Sequence, residues 1–141
     1  MLGKKRLILI AEDDADLRET LQRALSALDF QVALAPGGAE ALRQIEANPP
    51  AIIITDIYMP DTDGFELINE VRKRGLLIPV IAISGRQFTG YAPLLSARRL
   101  GVDAILEKPF RPAALVVAVC RALGERPEPR GAELPLDDNS R

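Results

Sequence analysis

Histidine is absent from this chain. That absence excludes Ser-His and Cys-His nucleophilic machinery, histidine metal sites and histidine proton shuttles. Cysteine occurs once, at Cys120, which leaves no internal disulfide and disfavours a zinc cluster; a reducing cytoplasm is the expected compartment. Long apolar runs are missing as well. None approaches the roughly 18 residues that span a bilayer, and the start lacks the apolar core and cleavage site of a secretory signal, so no membrane contact is expected. The net charge of −2 gives no reason to expect nucleic acid or an acidic membrane surface as a partner. The basic Gly3-Lys4-Lys5-Arg6 reads as a short solvated start before a buried strand.

What is present suits one ordinary domain. The 141 residues are 48% hydrophobic and 27% charged, the balance of a globular chain with a single core. Leu7–Ala11, Ala51–Thr55 and Val80–Ser84 are continuously apolar and rich in β-branched residues, as expected of central strands covered on both faces. Gln31–Ala35 and Ala104–Glu107 fit as weaker strands. Helical stripes lie between them: Leu17, Leu21, Ala24, Leu25 and Leu28 behind an N-cap at Asp14; Ala41, Leu42 and Ile45 before Asn48-Pro49-Pro50; and Phe65, Leu67, Ile68 and Val71 before Gly75. Arg98 to Leu100 close a fourth helix before Gly101, and Pro112 opens a fifth. The expected fold is α/β: a (βα)5, doubly wound, parallel five-stranded sheet. Glu125–Arg141 carries three prolines and alternating charges, so residues 1–124 read as the domain and 125–141 as a flexible tail, too short to be an output domain.

In open α/β sheets the functional site lies at the C-terminal ends of the strands. Those ends deliver Glu12, Asp13 and Asp14 from the first strand, Asp56 from the third, Ser84 from the fourth and Lys108 from the fifth. Taken singly each has a plain structural role: Asp14 caps a helix, Glu12 and Asp13 cap or meet solvent, Ser84 bonds within a loop, and Lys108 is a solvated charge. Taken together they are complementary. Carboxylates converging at one edge repel and call for a cation, and hard oxygen ligands suit magnesium. A carboxylate beside that ion can attack a phosphoryl group, with lysine and serine holding the phosphoryl oxygens.

These segments resemble the receiver domain of bacterial two-component response regulators, from Leu7 to about Leu123. Ile8-Leu9-Ile10-Ala11-Glu12-Asp13-Asp14 is similar to the family's first strand and acidic pair. Asp56-Ile57-Tyr58-Met59-Pro60-Asp61-Thr62-Asp63-Gly64 resembles its phosphorylation loop, and Lys108-Pro109-Phe110 its lysine motif, whose Lys-Pro bond is typically cis. The resemblance implies the flavodoxin-like receiver fold. It makes Asp56 the phosphoacceptor, Asp13 a direct Mg2+ ligand, Glu12 a ligand through water, and the Tyr58 backbone carbonyl a further ligand. Ser84 becomes the switch hydroxyl and Lys108 the partner of the phosphate. Tyr58 and Arg86 occupy positions that tune phosphoryl lifetime in the family.

There are departures from the pattern. Glu12 replaces the commoner aspartate, and the loop after Ser84 is about two residues longer than usual before Gly101. Ile105 stands three residues before Lys108, where the family usually carries an aromatic ring that rotates inward on activation. The function implied is a single-domain response regulator that takes a phosphoryl group from a histidine kinase or histidine phosphotransfer protein. It would signal through protein contacts and be an enzyme only toward its own phosphoryl group. The alternative is a receiver-like scaffold that binds a partner without switching, a reading that Ile105 supports. A small-molecule aspartyl-phosphate hydrolase would carry a second aspartate where Tyr58 stands, and no glycine-rich nucleotide loop follows any strand. The C-terminal helix, with Val116, Val117 and Cys120 expected to spread apolar character toward solvent, marks with Ile105 a face for a second copy or a target protein.

Overall fold

A computed structural model describes residues 5–85 and 98–124. The elements run β1 (Leu7–Ala11), α1 (Ala15–Ser26), β2 (Gln31–Ala35), α2 (Gly38–Ala47), β3 (Ile52–Asp56), α3 (Gly64–Lys73), β4 (Val80–Ser84), β5 (Ala104–Glu107) and α4 (Pro112–Ala122). The five strands form one parallel sheet in the order β2-β1-β3-β4-β5. The helix expected before Gly101 lies mostly outside the described residues, as do Arg86 and the tail; Arg98 and Arg99 are helical. No helix among the described residues is long and apolar enough to cross a membrane.

Alternation along each strand divides the core in two. Ile8, Ile10, Ile52, Ile54, Ile81 and Ile83 point to one face, where Leu21 and Leu25 of α1 and Leu115 and Val119 of α4 cover them. Leu9, Ala11, Ile53 and Val80 point to the other, under Ala41 and Ile45 of α2 and Leu67, Ile68 and Val71 of α3. Burial on both faces explains why these strands are apolar at successive positions rather than at every second one.

β3 begins and ends one residue later than its apolar run, at Ile52 and Asp56 rather than Ala51 and Thr55. The ladder carries it on: Asp56 pairs with Ile83, and the Ile57 amide donates to the Ile83 carbonyl at 2.9 Å. Composition sees a polar residue there, whereas the backbone continues to bond. The caps follow side-chain chemistry. Asp14 accepts from the amides of Asp16 and Leu17, and Asp63 with Glu66 forms a reciprocal capping box at α3. In α4, Cys120 turns out to be buried beside Leu115 and Val119, and Val116 packs partly on the core. The helix therefore rests on a wider arc than a single stripe, and Cys120 is withdrawn from the face expected to meet solvent.

Arg72 ties three segments together. Its guanidinium donates to the carbonyls of Leu76, Ile78, Leu100 and Gly101 at 2.8–3.3 Å. The adjacent Asp103 accepts from the Val80 amide at 3.1 Å.

Gly64 opens α3 against the end of β3, and a Cβ there would fall 2.3 Å from the Asp56 carbonyl oxygen and 2.7 Å from Ile57 Cα. Both obstacles are backbone, so nothing can rotate aside. Gly64→Ala should cost roughly 1–3 kcal/mol of stability, the range for forced overpacking. Urea unfolding of the two proteins checks this; equal midpoints would show that the loop moves away freely.

Candidate functional site

The strand order reverses between β1 and β3, the position where ligands bind in doubly wound sheets. β1 feeds Glu12 and Asp13 into that crevice and β3 ends in it with Asp56. Lys108 reaches it from β5. The Lys108–Pro109 peptide is cis.

Lys108 is the hub. Its ammonium donates to Asp56 Oδ2 at 2.8 Å and stands 3.6 Å from Glu12 Oε1. Burial pulls this ammonium down, but the hydrogen bond and charge of Asp56, then the charges of Glu12 and Asp14, outweigh it and hold the lysine above its usual range. The other Asp56 oxygen, Oδ1, accepts from the Tyr58 amide at 3.1 Å. Asp56 is 2% exposed, so both oxygens have fixed partners.

Glu12 is wholly buried. Its Oε2 accepts from the Asp14 amide at 3.1 Å, while Oε1 is buried with no hydrogen-bond partner. Burial first, then the Asp56 charge, push this carboxyl from 4.5 up to about 7, against the Asp14 amide and the Lys108 charge. Asp13 is exposed, and one oxygen from each of Glu12, Asp13 and Asp56 lies within 4.8 Å of the others. An orphaned buried oxygen among three hard donors fits a divalent cation: the ion would compensate the repulsion and the unfilled acceptor together.

Ser84 is 1% exposed, and its hydroxyl donates to the Gly85 carbonyl at 3.5 Å, the outer limit of a hydrogen bond. It sits at the end of β4 but is not held to Asp56. Tyr58 is 52% exposed, and its amide donates to Asp56 Oδ1. Two residues near the site escape sequence reasoning. Thr55 donates from its hydroxyl to the Asp56 carbonyl at 2.9 Å. Arg18, on α1, donates from Nη1 to the Glu12 carbonyl at 2.7 Å. The available signal for Arg18 was a cation one turn into a helix that begins among acidic residues.

Residues 8–120 match the family described as the response regulator receiver domain. The chain is 34% identical over 125 residues to response regulator MprA of Mycobacterium bovis (strain BCG / Pasteur 1173P2), covering 89% of this chain and 53% of that one. MprA of Mycobacterium tuberculosis (strain H37Rv) matches to the same extent. The chain thus spans about half the length of these relatives. Among solved structures, the receiver domain of NtrX from Brucella abortus superposes with a TM-score of 0.77 at 30% identity, over 83% of this chain and 98% of that one. The Francisella response regulator 1452 receiver domain gives 0.79 at 27% identity, over 85% and 98%.

The raised Glu12 carboxyl has a consequence for metal-free protein. Folded, the group keeps its proton to about 7; unfolded, it loses it near 4.5. The folded state therefore binds more protons between these values, and stability falls as pH rises through them. At about 1.36 kcal/mol per unit, the loss is on the order of 3 kcal/mol at most. Glu12→Gln should match wild type near pH 5 and exceed it near pH 8 in chelator-treated urea unfolding. Parallel curves for the two proteins would mean that Glu12 is not the group responsible.

Proposed function

The chain belongs to the response regulator receiver domain family, and we propose that its Asp56 accepts a phosphoryl group from a phosphohistidine on a partner protein. Response regulators receive phosphoryl groups from histidine kinases; this chain has no histidine of its own, so the donor is a kinase or a histidine phosphotransfer protein. The observation that carries the reading is the 2.8 Å contact between Lys108 and Asp56, beside the cluster of Glu12, Asp13 and Asp56. We assign residues 1–124 to the receiver domain, with 125–141 as a tail.

An oxygen of Asp56 forms the new P–O bond as the P–N bond to the partner's imidazole breaks, its electron pair staying on nitrogen, which takes up a proton. Lys108 then pairs with a phosphoryl oxygen in place of the carboxylate it now holds. Ser84, weakly held by Gly85, is free to turn its hydroxyl to another phosphoryl oxygen. Asp13, Asp56 and the Tyr58 carbonyl would hold Mg2+, with Glu12 reaching it through water; when bound, the ion supplies charge neutralisation for the transfer. Catalysis extends no further than the domain's own phosphorylation and dephosphorylation.

Acetyl phosphate with Mg2+ should add one phosphoryl group to wild type and none to Asp56→Asn, read by intact-protein mass. Equal labelling of the two would move the acceptor elsewhere. A wild type that never labels would favour the constitutive scaffold, the reading that Ile105 in place of an aromatic supports.

Signalling would run through the face formed by β5 and α4, where Ala104 and Leu106 meet the helix. The half-buried Ile105 between them turns to the other side of the sheet and, contrary to the sequence expectation, does not line this face. A groove of about 500 Å³ lies there, lined by Ala104, Leu106, Ala114, Val117 and Ala118 together with Asp103 and Arg121. The lining carries one acid and one base, which a two-fold axis would pair reciprocally, so a second copy of this chain is the occupant we favour. Val117→Glu should weaken self-association by roughly tenfold or more, as a buried unpaired charge would, and leave Asp56 labelling intact. Light scattering that shows wild type monomeric, phosphorylated or not, would assign the face to a different protein or to none.

A further inference from the structure

Arg18 is a cation beside the site that the proposed chemistry does not use. It stands in the first turn of α1, where the positive end of the helix dipole disfavours a cation. Its side chain follows the usual lean of helical side chains toward the N-terminus and ends on a carbonyl. Its backbone N–H donates to the Asp14 carbonyl at 2.9 Å, and Nη1 donates to the Glu12 carbonyl at 2.7 Å. The guanidinium thus grips the peptide that leads into Asp13, while the Arg18 amide makes the ordinary first bond of the helix to Asp14. The turn is further anchored by the Glu12 amide on the Ala35 carbonyl at 3.0 Å and by the Asp14 amide, just after Asp13, on Glu12 Oε2 at 3.1 Å.

We infer that Arg18 is a positioning residue for the metal-binding turn, holding the Glu12–Asp13 peptide so that the Asp13 carboxylate stays beside Asp56 and Glu12. The inference rests on the Mg2+ site proposed above. Two effects of the guanidinium oppose each other. As a charge it repels Mg2+, so its removal would tighten binding, by about a few-fold at a partly solvated distance. As a restraint it organises the turn, and loss of such an outer hydrogen bond typically weakens metal binding by about 10–100-fold. The restraint dominates.

The test is a Mg2+ titration of the full chain followed by backbone amide shifts, with amide exchange measured on the metal-free protein. Arg18→Met should bind Mg2+ roughly tenfold more weakly and exchange the Asp14 amide faster before metal is added; Arg18→Lys, which keeps a donor of similar length, should recover most of the affinity. If Arg18→Met does not fold, Arg18→Gln carries both readouts. Equal or tighter binding in the neutral variant overturns the inference, as does lower global stability in urea with unchanged affinity. Wild type that takes up no Mg2+ removes the metal site itself, and the inference with it. Wild type that binds while Arg18→Met binds equally removes only the inference.

Discussion

Two carboxylates buried in contact range are tolerated only where a cation stands between them or one of them keeps its proton, and the C-terminal edge of this sheet is arranged around that constraint. Glu12 and Asp56 leave adjacent strands, β1 and β3, so the crossover that sets these strands side by side also creates the repulsion. Lys108 relieves it from β5, reaching past β4 to bond Asp56 and approach Glu12. One ammonium cannot satisfy every oxygen, and Glu12 Oε1 is left over. That unmet demand links the fold to its chemistry: the protein's own groups do not fully compensate the site, and a divalent cation would.

The strands were legible because a sheet covered on both faces needs apolar side chains at successive positions, and few other structures do. The register end of β3 was not, since Asp56 interrupts the composition but not the backbone ladder. Cys120 was misplaced for a related reason. Periodicity locates the centre of a buried arc well but not its width, which depends on how closely α4 settles on the sheet. At the site, the residue types and their strand ends could be read, so Glu12, Asp13, Asp56 and Lys108 meet as expected. What could not be read is who bonds whom. That Glu12 has one satisfied and one orphaned oxygen depends on the position of the Asp14 amide, and that Arg18 folds back onto Glu12 depends on the helix start.

Ser84 and Lys108 divide the labour differently from what strand ends alone suggest. Lys108 is committed to Asp56, the proposed acceptor, whereas Ser84 points at its own loop through a bond at the limit of length. A strongly bonded hydroxyl would have to break a partner to respond. A weakly bonded one moves at little cost, which suits the role proposed for Ser84, to turn toward a phosphoryl oxygen after transfer. Ile105 on β5 has no ring, so on the proposed mechanism a response of the surface formed by β5 and α4 would not come from rotation of an aromatic side chain there.

Arg72 has a bearing on how the molecule breathes. By joining four carbonyls, it fastens the end of α3, the approach to β4 and the approach to β5 at a single point, and Asp103 repeats the link between the last two. Segments secured by a common fastening come apart together, as one cooperative unit with one opening free energy. The strand that carries Lys108 toward the site is therefore protected against isolated fraying at its far end. Its opening is coupled to that of β4, and the lysine's hold on Asp56 inherits the persistence of a larger block of the sheet.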